Sequence, residues 1–181
     1  MNEELEVLIT AAQRLEEANI SYLISGSTAA NYYTIPRMTR DIDIVIELAM
    51  QDINSFLKAF EKDFWVDADM IKEEVRKRGM FNLIHKSYLI KIDFILRKLN
   101  AFGLSMFQRK KKIQINQQNI WLASPEDLIL AKCLWAKDSF SELQINDIRN
   151  LLTTVNGLDY PYMEHWVANL DLEKIYQKAK A

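Results

Sequence analysis

The chain has 181 residues, of which 49% are hydrophobic, and this suffices to bury the core of one domain, or of one domain with a helical appendage. Its 23 basic and 25 acidic residues leave a net charge of -2, which argues against a surface built throughout for nucleic acid. The single cysteine, Cys133, excludes an intramolecular disulfide and a zinc cage of cysteines. Because no apolar stretch approaches the roughly 20 residues that span a bilayer, and the acidic N-terminus lacks the pattern of a signal peptide, we expect a cytoplasmic protein with no membrane partner.

The first two thirds of the sequence predict helices and strands in alternation. In chain order the predicted elements are helix 2–18, strand 20–24, helix 28–33, strand 41–47, helices 53–62 and 70–78, strands 80–85 and 88–96, helix 101–108, and strands 112–116 and 119–122. Pro36 breaks the chain after the second helix, Asp52 is expected to cap the third, and the fourth is expected to end at Gly79.

The remainder of the sequence predicts helices only. Ser124 as a cap, Pro125 at the first helical position and the acidic Asp127 form a strong helix start. The predicted helices are 125–137, 141–154, 160–169 and 171–180. We therefore expect an α/β (α+β) fold in which a module of mixed sheet flanked by helices, residues 1–123, is followed by a C-terminal helical module, residues 124–181.

Three aspartates stand on predicted strands. Asp41 and Asp43 are two residues apart, so their carboxylates project from the same strand face and repel each other. A divalent cation would hold them together, since hard oxygen ligands suit Mg²⁺. Asp93, flanked by Ile92 and Phe94, is an aspartate in an otherwise apolar strand and is expected to supply a third carboxylate for a two-metal site.

The same residues have an interpretation that needs no metal. Asp41 and Asp43 would then lie at a solvated strand end, and Asp93 would pair with a basic residue such as Lys91 or Arg97. A pair of aspartates two apart is too short a pattern to decide between the two interpretations.

Residues on either side of the predicted helix 28–33 suit the binding of phosphate. Gly26 lets the backbone approach a phosphate closely, while the Ser27 hydroxyl and the helix N-terminus can receive its negative charge. Arg37 and Arg40 flank Thr39 just before the aspartates, where guanidinium groups would clamp phosphate or pyrophosphate, or simply balance the aspartates.

In order along the chain, these segments read ISGSTAANYY, RMTRDIDIVIE and KIDFIL. They resemble the nucleotidyltransferase superfamily related to DNA polymerase β, whose pattern is a Gly-Ser turn, a strand with two aspartates and a later strand aspartate. More narrowly, the chain is similar to small bacterial nucleotidyltransferases of the toxin–antitoxin and abortive-infection type. Its C-terminal segments SPEDLILAKCLWAK and SELQINDIRNLL resemble the helical half of those proteins.

The resemblance implies a role for each matching position. Gly26 and Ser27 would bind the triphosphate of the nucleotide. Asp41 and Asp43 would share two Mg²⁺ ions, for which Mn²⁺ could substitute. Asp93 would hold the ion nearer the acceptor and help to deprotonate the attacking group.

Two residues of the helical half are assigned by the same resemblance. Lys132 would neutralise phosphate charge, and Asp147 matches a later helical aspartate of the abortive-infection proteins. This chain departs from them at residues 141–144, which read SELQ where those proteins carry an arginine-rich stretch.

The function these patterns predict is transfer of a nucleoside monophosphate from an NTP to an acceptor hydroxyl. ATP binding is expected, and the patterns do not select one NTP as the substrate. The acceptor would be an RNA such as a tRNA end, a protein side chain or a small molecule such as an antibiotic, and a cognate antitoxin or toxin is an expected partner. A non-catalytic nucleotidyltransferase-like module serving as antitoxin or scaffold is the alternative, and a metal-dependent phosphohydrolase is a third interpretation.

The other conspicuous residues have structural explanations. The basic run 109–112 is expected to be a solvated face, with RNA binding as the alternative, and His85 is expected to have a hydrogen-bonding role. Cys133 is expected in the core. Three tryptophans are expected to pack in the helical module, with base stacking as the alternative. They are Trp121, Trp135 and Trp166.

Overall fold

A computed structural model describes residues 3–39 and 41–181 of the chain, so Arg40 lies outside the described residues. Within those ranges the helices are α1 (Glu3–Glu17), α2 (Gly26–Tyr33), α3 (Ile53–Phe60), α4 (Ala68–Lys77), α5 (Ala101–Arg109), α6 (Pro125–Ala136), α7 (Glu142–Thr154), α8 (Tyr160–Asn169) and α9 (Glu173–Lys180). The strands are β1 (Tyr22–Ile24), β2 (Asp41–Ile46), β3 (Phe64–Trp65), β4 (Met80–His85), β5 (Lys91–Leu96), β6 (Lys111–Ile115) and β7 (Gln118–Leu122). Every predicted helix and strand is present, with ends shifted by a few residues.

The strands form one mixed sheet in the order β3-β4-β5-β2-β1-β7-β6. The pairs β2–β5 and β1–β7 are parallel, and all other neighbours are antiparallel. The hairpin expected between β4 and β5 is confirmed. With helices packed around the sheet, this architecture confirms the predicted fold class.

The core lies mainly under the central strand β2. Ile42, Ile44 and Ile46 are fully buried, as the alternation along this strand predicts, so the neighbouring aspartates face the opposite side. On the core side, the rings of Phe56 and Phe94 meet edge to face, with centroids 5.3 Å apart. Burying the isoleucines therefore fixes which way the acidic side chains point.

The C-terminal helices pack on one another and on the sheet-forming part of the chain. α6 contacts α7 and also α2, the helix that directly follows β1. The predicted start of α6 is confirmed, because the Ser124 hydroxyl accepts a hydrogen bond from the Asp127 N–H at 3.1 Å and Pro125 occupies the first turn. Cys133 is fully buried in this helix, as expected.

Two local predictions were wrong, and one strand was missed. The Asp52 side chain does not cap α3, because Asp52 belongs to a short 3₁₀ turn (Met50–Asp52) and has helical dihedrals, whereas a capping residue is usually extended. α4 ends at Lys77, two residues before Gly79, since Arg78 rather than the glycine takes the left-handed conformation at φ 52°. The two-residue strand β3 was not predicted at all.

The turn 25–28 also differs from expectation. It is the first turn of α2, which already begins at Gly26 rather than at residue 28. This shift places the glycine and Ser27 at the N-terminus of the helix. Among the residues described, no helix is long and apolar enough to cross a membrane.

Candidate active site

A cleft of about 230 Å³ opens between the sheet, the start of α2 and the helices α6 and α7. Its polar lining residues are Ser25, Gly26, Ser27, Asp43, Asp93, Lys132 and Gln144. Its apolar lining residues are Met80, Ile95, Leu128, Ala131 and Trp135. This volume lies just below the range of about 300–1,000 Å³ that is usual for small-molecule sites.

Asp43 and Asp93 stand side by side at the floor of this cleft. They are paired positions of the parallel strands β2 and β5, so their side chains leave the same face of the sheet. Burial raises the pKa of Asp43, and the neighbouring carboxylates of Asp93 and then Asp41 raise it further against the opposing influence of Lys132 and Lys91. Two carboxylates in this register repel each other, so a positive charge nearby stabilises both of them.

A lysine already balances part of this charge. Lys91 Nζ lies 2.9 Å from Asp93 Oδ2 and 3.5 Å from Asp41 Oδ2, and its pKa is raised, chiefly by the hydrogen bond with Asp93. The pairing of Asp93 with Lys91 foreseen by the metal-free interpretation is therefore confirmed, whereas Arg97 pairs with Glu47 instead. Asp41, with 48% of its side chain exposed, lies at a solvated strand end. Asp43 does not, since it lines the cleft.

The glycine at the start of α2 is required by Asp43. Gly26 has φ +59°, and a Cβ added to it would lie 1.8 Å from Asp43 Oδ2 and 2.8 Å from Asp43 Cβ. The Ser25 N–H donates to the Asp43 carbonyl at 2.9 Å and ties the two segments together. Only a residue without a side chain lets the helix N-terminus and the carboxylate approach so closely.

A network of four charged or polar side chains forms the opposite side of the cleft. Lys132 Nζ donates to Asp147 Oδ2 at 2.8 Å, and both side chains are buried. Arg37 donates to both oxygens of Asp147, from Nε at 3.0 Å and from a terminal nitrogen at 2.9 Å, and to the Ser27 hydroxyl at 2.7 Å. Burial acts to raise the pKa of Asp147, but the hydrogen bonds from Arg37 and Lys132 outweigh it and lower that pKa.

This network changes the interpretation of Arg37 and Asp147. Arg37 balances Asp147 on α7, not Asp41 or Asp43, and it links the start of α2 to the helical half of the chain. The structure places Asp147 behind Lys132, where it fixes the lysine at the edge of the cleft. Arg40, the other arginine expected to bind phosphate, lies outside the described residues.

The carboxylates can be tested as a metal site from their donors. Within residues 3–39 and 41–181, no three His, Cys, Asp or Glu side chains are grouped as a ready metal cage. Mg²⁺ usually needs only one or two carboxylates, because waters and substrate phosphates complete its octahedron. Asp43 and Asp93 meet this requirement, and Asp41 joins them only if its carboxylate leaves Lys91. The residues therefore fit the metal, and Lys91 competes with it for the carboxylates of Asp41 and Asp93.

Several cleft residues were not predicted to belong to the site, among them Trp135 and Gln144. Trp135 was expected to pack inside the helical module, but it is 61% exposed and lines the cleft. Its position three residues after Lys132, on the same helix face, was the signal that could have placed it there. Trp166 does pack within the structure, against Phe102 at 5.3 Å between ring centroids. Trp121 lies outside the helical module, where its ring donates to Glu16.

The basic run contributes to internal contacts as much as to the surface. Arg109 lies near the carboxylates of Glu126, Asp127 and Asp159, at 3.5 to 3.8 Å, and its guanidinium covers the ring of Tyr162. Lys111 and Lys112 are exposed on the edge strand β6. None of residues 109–112 lines the cleft, so the run adds no group to the candidate site.

The chain is similar to known nucleotidyltransferases over its whole length. The model of the family described as "Nucleotidyltransferase of unknown function (DUF6036)" matches residues 1–180. A comparison with curated proteins gave no match.

Several solved structures share the fold. One is an antigenic nucleotidyltransferase-like protein from Paracoccidioides brasiliensis, with 23% identity over 96% of this chain and 91% of that chain, at a TM-score of 0.56. Another is ANT(2'')-Ia in complex with adenylyl-2''-tobramycin, with 16% identity over 96% of this chain and 97% of that chain, at a TM-score of 0.59. A third is the lincosamide antibiotic adenylyltransferase LnuA with lincomycin bound, with 16% identity over 86% of this chain and 98% of that chain, at a TM-score of 0.54. At these identities the likenesses show the fold alone.

Proposed function

Because the chain belongs to the DUF6036 family of nucleotidyltransferases, we propose that it moves a nucleoside monophosphate from an NTP to an acceptor hydroxyl in this cleft and releases pyrophosphate. One observation supports the location above all others. The carboxylates of Asp43 and Asp93 lie in register on adjacent parallel strands and face the same cleft as Gly26, Ser27 and Lys132. Acidic groups for a metal thus lie opposite groups that suit a triphosphate.

The triphosphate would lie against the start of α2. Gly26 leaves room for a phosphate, and the free N–H groups of the helix N-terminus attract its charge. Because Arg37 donates to Ser27 Oγ, the hydroxyl hydrogen of Ser27 is available to donate to a phosphate oxygen. Lys132, held by Asp147, supplies a positive charge from the opposite wall.

Asp43 and Asp93 would hold Mg²⁺, two ions when Asp41 takes part, and Mn²⁺ could substitute. When bound, the metal neutralises phosphate charge and polarises the α-phosphoryl group. In the transfer step the acceptor oxygen forms a bond to the α-phosphorus, the bond from that phosphorus to the β-bridging oxygen breaks, and pyrophosphate leaves. Asp93 would receive the proton of the acceptor hydroxyl, directly or through water.

The identity of the acceptor and the biological setting are also proposals. The complexes of ANT(2'')-Ia and LnuA, named for an adenylylated aminoglycoside and for lincomycin, support a small-molecule hydroxyl as acceptor and ATP as donor. An RNA end such as that of a tRNA, or a protein side chain, is an acceptor with the same hydroxyl chemistry. The similarity of the sequence motifs to toxin–antitoxin and abortive-infection proteins supports a cytoplasmic protein with a cognate antitoxin or toxin.

The test uses NTPs labelled on the α- or γ-phosphate, incubated with the full chain, Mg²⁺ and a fractionated cell extract. We expect the α-label on an acceptor and the γ-label in pyrophosphate. Label found only in free nucleotide and inorganic phosphate would indicate a phosphohydrolase. Absence of any transfer, together with absence of metal-dependent NTP binding, would favour the non-catalytic scaffold.

A matched pair of variants ties the activity to the cleft. Asp43→Asn should lower transfer by at least about 10²–10³-fold, the usual cost of removing one preorganised charge-stabilising group. Asp69→Asn is the control, because Asp69 is 95% exposed on α4 and should leave transfer unchanged. Full activity of Asp43→Asn with every NTP would refute the assignment of this residue.

A further inference from the structure

The cleft is divided into a polar half and an apolar half. Along β5, Asp93 and Ile95 leave the same face of the strand two residues apart, so the lining changes from acidic to apolar over roughly 7 Å. Met80 is the residue paired with Ile95 on β4, and it widens the apolar floor. The polar half contains the groups proposed to bind metal and triphosphate, whereas the apolar half has no role in that scheme.

Helix α6 covers both halves with one face. Leu128, Lys132 and Trp135 follow each other at spacings of four and three residues, so they line the cleft as one stripe. One helical turn, about 5 Å, separates Lys132 from Trp135. The helix therefore presents a cation and an indole to the cleft about one turn apart.

The exposure of Trp135 is unusual for a residue that lines a cleft. Trp135 is 61% exposed, although Met80 and Ile95 offer apolar surface in the same cleft. By contrast, Trp166 of α8 packs its ring on Phe102. A large flat ring left open on the wall of a concave site is ready to be covered by a ligand of the same shape.

We propose that Trp135 stacks on the nucleobase of the NTP substrate, with Met80 and Ile95 forming the opposite wall of the base subsite. The inference rests on the proposed function, because it needs the triphosphate at Gly26, Ser27 and Lys132. An NTP has a charged triphosphate at one end and a planar base at the other, and the cleft presents matching surfaces in the same order. Stacking reads the face of a base and not its edge, so all four NTPs gain from it.

The experiment measures ligand affinity by calorimetry in the presence of Mg²⁺. The ligands are a non-hydrolysable analogue of ATP and inorganic triphosphate, which has the charges but no base. The proteins are the wild type, Trp135→Ala, Trp135→Phe and the control Trp65→Ala. Trp65 is 53% exposed on the edge strand β3 and is absent from the cleft lining, so the control removes an equally open indole elsewhere.

We expect Trp135→Ala to weaken binding of the ATP analogue about 5- to 150-fold, the range for loss of one base–aromatic stack, and to leave triphosphate binding unchanged. Trp135→Phe should retain most of the affinity because a ring remains. Trp65→Ala should behave as the wild type. Thermal melting of each variant verifies that the fold is intact.

Equal affinity of the wild type and Trp135→Ala for the ATP analogue would overturn the inference while leaving the proposed function in place. If the variant instead raised KM for the acceptor alone, Trp135 would belong to the acceptor subsite, which also contradicts it. An equal loss for triphosphate and the ATP analogue would show a general disturbance of the cleft and refute stacking. If the wild type bound neither ligand nor any other NTP analogue, the proposed function itself would fail, and the base subsite with it.

Discussion

The contact between Gly26 and Asp43 offers the sharpest test of how the candidate site is built. A Cβ at Gly26 would meet Asp43 Oδ2 at 1.8 Å, Cγ at 2.6 Å and Cβ at 2.8 Å. Gly26→Ala must therefore displace the strand aspartate or the helix start. The same substitution also places a side chain at φ +59°, a conformation that L-residues rarely adopt.

The two costs can be estimated separately. A left-handed conformation costs an L-residue about 1–2 kcal/mol, and overpacking a well-packed site costs about 1–3 kcal/mol. Their sum is about 2–5 kcal/mol of unfolding free energy. For a chain of this length, each kcal/mol lowers Tm by about 2–4 °C, so Gly26→Ala should lower Tm by roughly 4 to 20 °C.

The chain has a matched control for this estimate. Gly157 has φ +73° but nothing lies within 4 Å of its added Cβ, so Gly157→Ala carries only the conformational cost of about 1–2 kcal/mol. Urea denaturation of both variants, and of Gly26→Ala combined with Asp43→Gly, measures the difference. We expect the second substitution to recover part of the loss. If Gly26→Ala were no more destabilising than Gly157→Ala, the proposed contact with Asp43 would be refuted.

Two further predictions concern the charged groups around the cleft. Asp147→Asn leaves buried Lys132 without its carboxylate and should lower the unfolding free energy at neutral pH by up to about 3–5 kcal/mol. The folded-state pKa of Asp147 is lowered, so its stabilisation is complete above the unfolded value of about 4 and is lost as pH falls through the lowered value. In urea denaturation the stability gap between wild type and variant should therefore be constant above about pH 5 and shrink below about pH 4. A gap that stays constant below about pH 4 would contradict this. Lys91→Met removes the ammonium group shared by Asp41 and Asp93. Calorimetry of the nucleotide-free protein should therefore show Mn²⁺ binding about two- to fivefold tighter, which corresponds to the roughly 0.5–1 kcal/mol of a partly exposed ion pair. Weaker Mn²⁺ binding by this variant would show that Lys91 supports the metal site and does not compete for it.

The sequence predicted the parts of the site that depend on strand periodicity. Alternation along β2 buries the isoleucines and directs Asp41 and Asp43 to the other face, and the structure agrees. The apolar neighbours of Asp93 indicated a partner for it, and both a metal and Lys91 satisfied that requirement equally well. Periodicity describes one strand at a time, so the register of Asp43 beside Asp93 became visible only once the sheet was assembled.

The features missed by the sequence depend on contacts between distant segments. The bond from Arg37 to Asp147 joins residues 110 positions apart, and no local pattern predicts it. β3 has two residues, too few for a periodic signal. Trp135 stands in a helix that is apolar on most sides, so its exposure follows from the position of α6 over the cleft and not from its neighbours in sequence.

The most direct test of the account is a crystal of the chain soaked with Mn²⁺ and a non-hydrolysable NTP analogue, measured at the manganese absorption edge. We predict an anomalous peak that lies about 2.1 Å from carboxylate oxygens of both Asp43 and Asp93, the distance expected for an octahedral site. Lys91 Nζ should be displaced from Asp93. A nucleotide bound with its metal elsewhere, or a Lys91–Asp93 ion pair that persists beside bound nucleotide, would contradict it.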